Sequence, residues 1–439
     1  MPSTCLKSPR SPITSPSWRR LRRRSAENQS RIGIAGTAIY ARIIDADRFA
    51  LTSFADREDN VPDTEPTGRS QRPLRVLMVS GEAPPIIGGV GDFTVRLLQA
   101  LHTNRPDFSL RYLTRRIRWF DSPITTLGGI RTYRPVHGWT PKLNRQALRF
   151  ARLLRYDILH IQEEAFSWFE SDVATELAEL RPGLPVVVTL HEMHHDRPSF
   201  ENTLRLIARA DAITANDRRT AERCERYAGR TVDRVLFSPG NIEPLADRSK
   251  PSQVPGRVCT FGLINRLKRF DILYEALRRV HAARPDLTWH IVGPFEPEKN
   301  AEHSAIRDQL AGAEWIRFTG SLDAERDLPR ELHQAQVMLL PFDDGASLRR
   351  TSLQAGWRFG LPVVTTRPPE VEPGFEEGTN VIFADRDDPD SWFKAVSRLL
   401  DSSEERARIG QGGYETSKHY TFDALAREYA AIYERLTGL

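Results

Sequence analysis

Residues 184–195 read LPVVVTLHEMHH, and the fold depends on which kind of element this stretch forms. Residues 191–195 match the H-E-x-x-H pattern, in which two histidines on one face of a helix hold zinc and the glutamate activates water. On a helix, the pattern predicts a zinc peptidase. After a strand, it places His191 at the strand's carboxyl end.

The flanking residues favour the strand. Residues 186–190 form a β-branched run after Pro185, which is typical of a strand buried on both faces of a parallel sheet. Asp196 and Pro198 interrupt a helix before it completes two turns. A zinc peptidase therefore remains a distant alternative. Two other interpretations are loop histidines without a function, and a His191 that faces a ligand crevice at the end of a strand.

Composition predicts a two-domain, non-membrane protein. A chain of 439 residues exceeds what one core usually organises, and no run of about 18 apolar residues predicts a transmembrane helix. The three cysteines, Cys5, Cys224 and Cys259, are too few and too scattered for a disulfide framework or a zinc site. This cysteine content fits a reducing cytosol, so we expect a cytoplasmic protein.

The net charge of +5 comes from the first 72 residues, which carry 13 basic and 8 acidic side chains. Their Ser-, Pro- and Arg-rich composition predicts a disordered basic tail without the apolar segment of a secretory signal. The remaining residues carry equal numbers of acidic and basic side chains. This balance argues against a nucleic-acid-binding protein.

From residue 74 onward, short apolar runs alternate with helical patterns, which predicts two α/β domains with parallel sheets. The predicted strands of the first domain cover residues 74–80, 158–162, 186–190, 212–215 and 235–238, and those of the second cover 258–262, 288–292, 316–319, 337–340 and 363–365. We predict a tail at 1–72, an N-terminal domain at 73–245, a linker at 246–256, a C-terminal domain at 257–415 and a closing helix at 416–439. In such doubly wound folds, ligands bind outside the carboxyl ends of the strands.

Two loops at predicted strand ends carry suggestive residues. Gly88, Gly89 and Gly91 stand where a loop meets a helix, so their backbone N–H groups could approach an anion, although a tight turn explains them equally well. Residues 261–270 (FGLINRLKRF) place three cations just after a strand, which suits a diphosphate, although a solvated loop is the common explanation for such a charge run.

The order of these segments resembles that of the GT-B glycosyltransferases, in particular the retaining, family-4-like group that uses nucleotide-sugar donors. The resemblance covers about five-sixths of the chain. The segments that carry it are PPIIGGVGDFT, YDILHIQ, LPVVVTLHE, ADAITAND, FGLINRLKRFDILYEAL, WHIVGPF, VMLLPF, GLPVVTT and TFDALAREYAAIYERL. It implies two Rossmann-like domains facing a cleft, with a C-terminal helix that crosses back to the N-terminal domain.

The resemblance also implies roles for individual residues. His191 would contact the donor sugar as the catalytic-site histidine, and Lys268, expected to be an exposed cation, would bind the diphosphate. The family's arginine five residues before that lysine is replaced by Leu263, so Arg266 is the substitute. The remaining donor-binding residues would be Gly88, Gly89, Gly91, Ser347, Leu348 and Arg349, with Asp92 and Glu192 on the acceptor side.

One motif departs from the family pattern. Two glutamates normally stand eight residues apart, but Ser347 and Ala355 occupy their places here. Loss of a buried, charge-assisted acceptor costs about 1.5 to 3 kcal/mol of binding unless Gln354 or Asp344 compensates. Either the donor differs from the usual one, or the protein is a degenerate nucleotide- or sugar-binding relative.

The implied chemistry is transfer of a sugar with retention from a nucleotide-diphosphate sugar to a hydroxyl acceptor, in cell-envelope or polysaccharide biosynthesis. It requires no metal or other cofactor, and residues 385–387 (DRD) are interpreted as a solvated acidic turn. The acceptor, a saccharide or a lipid-linked hydroxyl, is not identified by the sequence. A basic amphipathic helix would allow peripheral membrane contact, although a solvated face explains it too; its arginines are Arg145, Arg149, Arg152 and Arg155.

Overall fold

The computed structural model describes residues 72–86, 88–168 and 171–439, and Arg72–Leu439 form one unit. The tail predicted over residues 1–72 lies outside the described residues except for Arg72, so its disorder stays a prediction. In the part of the chain that the structure describes, no helix is long and apolar enough to cross a membrane.

The first half of the unit is one sheet with its flanking helices. Its elements are β1 (Leu74–Ser80), α1 (Gly89–Asn104), β2 (Phe108–Arg115), β3 (Ile124–Leu127), β4 (Ile130–Val136), α2 (Pro141–Leu153), β5 (Ile158–Glu163), α3 (Val173–Glu179), β6 (Val186–Leu190), α4 (Phe200–Arg209), β7 (Ala212–Ala215), α5 (Arg218–Ala228) and β8 (Arg234–Val235). The strand order is β3-β4-β2-β1-β5-β6-β7-β8. Neighbouring strands are parallel except for the β3–β4 hairpin at one edge.

The second half is a parallel sheet of the order β11-β10-β9-β12-β13-β14. After a short 3-10 turn at Asp247–Ser249, its elements are β9 (Arg257–Phe261), α6 (Phe270–Ala283), β10 (Thr288–Val292), α7 (Ala301–Gln309), β11 (Ile316–Gly320), α8 (Asp327–Gln334), β12 (Val337–Leu340), α9 (Thr351–Arg358), β13 (Val363–Thr366), β14 (Ile382–Ala384), α10 (Pro389–Asp401), α11 (Ser403–Ser417) and α12 (Phe422–Thr437). Two doubly wound domains are therefore confirmed.

The strands β2 and β4 were not predicted, because each carries arginines. In β4, Arg134 is only 5% exposed. Its guanidinium donates to the carbonyl oxygens of Arg115 and Pro84, the first at 3.1 Å. These bonds satisfy a cation whose burial would otherwise be costly.

The closing helix α12 packs on the first domain, as predicted. Its residues Tyr429 and Tyr433 are buried in the core around α1 and β1. The Tyr433 hydroxyl lies 2.6 Å from His160 Nδ1, and the Tyr429 hydroxyl lies 2.8 Å from Thr189 Oγ1. Because buried polar groups need partners, these bonds fix how the helix sits on the sheet.

The carboxyl ends of the two sheets face each other across a cleft. The loops after β6 and β7 meet the loop between β12 and α9, where Arg349 lies 3.4 Å from Glu192 and 2.9 Å from Asp217. Contacts across the cleft include Arg219 to Asp344 at 3.6 Å. Asp92, predicted on the acceptor side, accepts a hydrogen bond from the Asn241 amide in the segment between the sheets.

Candidate functional site

Two basic side chains meet at the carboxyl ends of β9 and β12. Lys268 follows β9 and Arg350 precedes α9, and both lie near the ring of Phe342, with Lys268 Nζ 5.9 Å and Arg350 Cζ 4.5 Å from its centroid. Asp344 pairs with one end of the Arg350 guanidinium. The Arg350 Nε is buried and has no hydrogen-bond partner. A buried donor without an acceptor is costly, so this position suits an anionic ligand.

Lys268 is buried, and the expectation of an exposed cation is wrong. The residue is 8% exposed, and its ammonium donates to the Phe261 carbonyl. A Cβ at Gly262, where φ is 117°, would lie 3.0 Å from the ammonium, so glycine leaves room for this approach. Burial, assisted by the charge of Arg350, lowers the pKa of Lys268 to about 7. A phosphate beside it would reverse the shift, because an opposite charge favours the ammonium form.

Arg266 lies on the same loop but is exposed. Its backbone N–H donates to Glu302 Oε1 of α7 at 2.6 Å, which fixes the loop rather than the guanidinium. The cation that the structure places beside Lys268 is Arg350. A diphosphate contact by Arg266 therefore stays a prediction from the resemblance.

Arg349 connects the two domains. Its Nε lies 2.9 Å from Asp217 Oδ2, and its Nη2 lies 3.4 Å from Glu192 Oε1 and 3.5 Å from Asp344 Oδ2. Asp217 also caps α5, since its other carboxylate oxygen accepts from the Thr220 N–H at 2.6 Å. The charge of Arg349 is thus matched by carboxylates from both domains, and its donor-binding role stays a prediction.

Glu192, predicted on the acceptor side, belongs to this ion network. Burial alone raises its pKa, but the hydrogen bond from His194 and the charge of Arg349 outweigh burial and lower the pKa to about 2. His194 Nε2 lies 3.2 Å from Glu192 Oε2. A carboxylate with so low a pKa is a weak base at neutral pH.

His191 is buried beneath α1, with 7% of its surface exposed. Its Nε2 lies 2.8 Å from Gln162 Oε1, and the Asn216 amide nitrogen lies 3.3 Å from its Nδ1. The edge of Phe93 packs on the ring at 4.9 Å between centroids. Burial lowers the pKa of His191 to about 3, so the ring is neutral. Both ring nitrogens therefore have protein partners, and the predicted sugar contact stays a prediction.

Residues 191–195 form a loop after β6, so the zinc peptidase alternative is wrong. The two histidines that would share a zinc ion face different neighbours. His195 stacks on Tyr227 at 5.1 Å, whereas His191 bonds to Gln162. The helix that would place both imidazoles on one face is not formed.

The glycine segment holds a carboxylate of the protein itself. Gly88 caps α1, and Gly89 and Gly91 lie in its first turn. Glu82 lies over Gly88, where a Cβ would come within 1.7 Å of the Glu82 Oε1, and it accepts a hydrogen bond from the Gly91 N–H. The anion position at this helix N-terminus is thus filled by Glu82. Donor contacts by the three glycines stay a prediction.

Glu372, which sequence reasoning missed, reaches the segment that lacks the family's glutamates. Its Oε2 accepts from the Leu348 N–H at 2.7 Å, and the Ser347 hydroxyl lies 3.3 Å from its Oε1. Burial raises the pKa of Glu372, although the Leu348 N–H opposes that shift. Glu372 therefore places a carboxylate beside the position where Ser347 replaces one.

The two residues considered as substitutes differ in how their acceptors are used. Gln354 is 1% exposed, and its amide donates to the Leu348 carbonyl at 3.2 Å, so it faces the interior. Asp344 is paired with Arg349 and Arg350. The Gln354 Oε1 is buried without a hydrogen-bond partner, so Gln354 keeps one unused acceptor, whereas the Asp344 carboxylate is engaged by two arginines.

A cavity of about 460 Å³ opens between α5 and the loops after β12 and β13. Its lining combines both domains and both charges, and includes Asp217, Arg219, Asp344, Ser347, Arg349 and Glu372. Lys268 and Arg350 lie outside this lining, so the cavity adjoins the cation pair without enclosing it. Mixed polar groups of this kind suit a polyhydroxyl ligand.

Two protein-family models match the chain. The model described as "Glycosyltransferase Family 4" matches residues 87–236, and the one described as "Glycosyl transferases group 1" matches residues 255–402. The first match covers the strands of the first sheet after β1, the second covers the whole second sheet, and together they span about two thirds of the chain.

Curated relatives and solved structures agree with these matches. The D-inositol 3-phosphate glycosyltransferase of Corynebacterium diphtheriae is 22% identical over 413 residues, which cover 82% of this chain and 94% of the relative. Sucrose-phosphate synthase from Thermosynechococcus elongatus superposes with a TM-score of 0.66 at 17% identity, covering 83% of this chain and 99% of that one. Anabaena HepE, in complex with UDP and glucose, gives a TM-score of 0.66 at 14% identity, covering 83% and 100%.

Proposed function

Because the chain is a GT-B glycosyltransferase of the family-4-like group, we propose that it transfers a sugar with retention from a nucleotide-diphosphate sugar to a hydroxyl acceptor. The observation that carries the proposal is the pair formed by Lys268 and Arg350 beside the Phe342 ring. One member has a depressed pKa and the other has a buried donor without a partner. Both features favour an anion such as a diphosphate.

In the proposed reaction, negative charge develops on the diphosphate oxygen as the bond to the anomeric carbon breaks. Lys268 and Arg350 would neutralise that charge, and the N-terminus of α9, which has no side-chain cap, would add its backbone N–H groups. We propose that no metal is required, since two fixed cations perform the neutralisation. Undiminished transfer in EDTA is the expected result.

Donor binding is tested by thermal shift and transfer assays across a panel of nucleoside diphosphates and their sugars. A ligand present at a hundred times its dissociation constant stabilises the folded state by about 2.7 kcal/mol. Lys268→Ala should abolish most of that shift, whereas Arg278→Ala, which removes an exposed arginine of α6, should leave it unchanged. Absence of any shift across the panel would contradict the proposal.

Retention rests on the family resemblance and is tested directly by product stereochemistry. The anomeric configuration of the product, read by NMR from the anomeric coupling constant, should equal that of the donor. An inverted product would remove the chain from the retaining group.

A nucleotide-binding protein without transfer activity is the second candidate. It is favoured by Ser347 and Ala355 at the places of the family's glutamates. Binding of a nucleoside diphosphate without hydrolysis or transfer of any donor sugar would support it. We also propose a role in cell-envelope or polysaccharide synthesis and a cytoplasmic location. The acceptors to screen are therefore saccharides and lipid-linked hydroxyls.

A further inference from the structure

The loop between β2 and β3, residues 116–123, which we call the tip, exposes three large apolar side chains within four residues. The loop between β2 and β3 carries Ile117, Trp119 and Phe120, which are 46%, 54% and 61% exposed. Isolated apolar residues are common on surfaces, but a cluster of them on one turn indicates a contact site.

The tip is held in shape by hydrogen bonds among its own residues. Asp121 closes the turn: its N–H donates to the Arg118 carbonyl at 3.2 Å, and its carboxylate accepts from the Arg118 N–H at 2.8 Å. Arg116 donates to the Asp121 carbonyl at 3.0 Å. Trp119 and Phe120 pack edge to face at 5.7 Å, and Arg118 lies 5.6 Å from the Phe120 ring. The aromatic side chains are therefore presented to solvent by a structured turn.

A cationic face lies beside the tip. Helix α2 carries four basic residues and no acidic one, and they are Lys142, Arg145, Arg149 and Arg152. All four are exposed, as is Arg155 just after the helix. The tip and the helix meet at one carbonyl, that of Pro135, which accepts from Arg116 at 3.5 Å and from Gln146 at 3.2 Å.

We propose that the tip and the basic face of α2 dock the N-terminal domain onto an anionic lipid bilayer. Tryptophan and phenylalanine side chains insert at the boundary between headgroups and acyl chains, while arginines attract anionic headgroups. A helix that carries basic but no acidic residues complements such a surface. The tip follows the carboxyl end of β2, the edge that also carries the cleft loops after β1 and β6, so docking brings the cleft close to the bilayer.

Vesicle co-sedimentation without any substrate tests the docking independently of the proposed transfer reaction. The protein should bind vesicles that mix phosphatidylglycerol with phosphatidylcholine. Binding should be far weaker to vesicles of phosphatidylcholine alone, and far weaker to the mixed vesicles at high salt. Replacing both Trp119 and Phe120 with serine should weaken binding about tenfold or more. Tyr414→Ser, which removes a 40% exposed aromatic of α11 in the other domain, is the matched control and should bind like the wild type.

Charge reversal provides a second variant set. The double variant Arg145→Glu, Arg149→Glu should also abolish binding to the anionic vesicles. In a separate measurement, brominated lipids should quench the tryptophan fluorescence of the wild type, and this quenching should disappear in Trp119→Phe. Equal binding by the wild type and both variant sets, or no binding to anionic vesicles, would overturn the proposal. Self-association that the serine pair abolishes, without vesicle binding, would identify the tip as a protein interface instead and would equally overturn it.

Discussion

The two strand-end edges that face each other across the cleft differ in how their polar groups are satisfied. On the N-terminal edge, His191 has both ring nitrogens bonded within its domain, and the Glu82 carboxylate accepts from the Gly91 N–H at the N-terminus of α1. On the C-terminal edge, Lys268 is buried with a lowered pKa, and Arg350 keeps a buried donor without a partner. The polar groups around His191 and Glu82 are bonded mainly to one another, although Asn216 Oδ1 has no partner, whereas the C-terminal edge places two cations where a ligand can supply negative charge.

This contrast predicts that substitutions at the N-terminal edge reduce the stability of the fold more than they reduce ligand binding. His191→Ala removes a buried ring together with the partners of Gln162 Oε1 and the Asn216 amide nitrogen, so it should lower the free energy of unfolding by about 2 to 4 kcal/mol. His195→Ala, at an exposed ring stacked on Tyr227, is the control and should cost less than about 1 kcal/mol. Denaturant unfolding of both variants measures these changes in the free energy of unfolding.

The transfer activity of the same two variants tests whether His191 also acts in the reaction. If His191 also contacts the donor sugar, transfer by folded His191→Ala falls far more than transfer by His195→Ala. Equal loss of stability in the two variants would show that the buried bonds of His191 carry no special weight.

At the C-terminal edge, we expect substitutions to weaken ligand binding without lowering the stability of the fold. Arg350→Leu should weaken nucleoside diphosphate binding by about 1.5 to 3 kcal/mol, the range for a hydrogen bond to a charged group. Its unfolding free energy should not fall, since burial and Arg349 already lower the pKa of Arg350 and thus disfavour its charged form. Titration calorimetry and denaturant unfolding together measure both quantities. A large loss of stability with unchanged affinity would place Arg350 among the scaffold residues.

Glu372→Gln should have a smaller effect. The amide keeps an acceptor for the Leu348 N–H but loses the charge, so binding of a nucleotide sugar should weaken by about 1 kcal/mol, or about fivefold. Stability should be unchanged or rise, because burial raises the pKa of this carboxyl and therefore opposes its ionised form. Glu376→Gln, at an exposed glutamate of the same loop, is the control. Identical affinities for the two variants would remove Glu372 from the site.

The fold was largely predictable from the sequence, because apolar runs such as β6 and β12 alternate with helical patterns, and short apolar runs of this kind are typical of buried parallel strands. The burial and the partners of individual side chains were not predictable in this way. Lys268 is buried by Phe342 and Arg350, which lie about 80 residues further along the chain, and Glu372 meets Leu348 24 residues away. Those contacts arise only when separate strand ends converge, so local patterns carry no signal of them.

The most direct test of the cation pair as the diphosphate site is the proton uptake that accompanies nucleotide binding. The pKa of Lys268 is lowered to about 7, so at pH 8 the free protein holds it mostly neutral. In the unfolded chain this lysine titrates near its ordinary value, so Lys268 destabilises the fold most below about pH 7, and the penalty fades as pH rises towards that value. A bound diphosphate should raise the pKa and restore the ammonium.

Calorimetry at pH 8 in buffers of different ionisation enthalpy counts those protons. The account predicts that the wild type takes up close to one proton for each nucleoside diphosphate bound, that Lys268→Met takes up none and binds more weakly, and that the control Arg278→Ala behaves like the wild type. Binding by the wild type without proton uptake, or the same uptake by Lys268→Met, would contradict the assignment of Lys268 and Arg350 as the diphosphate site.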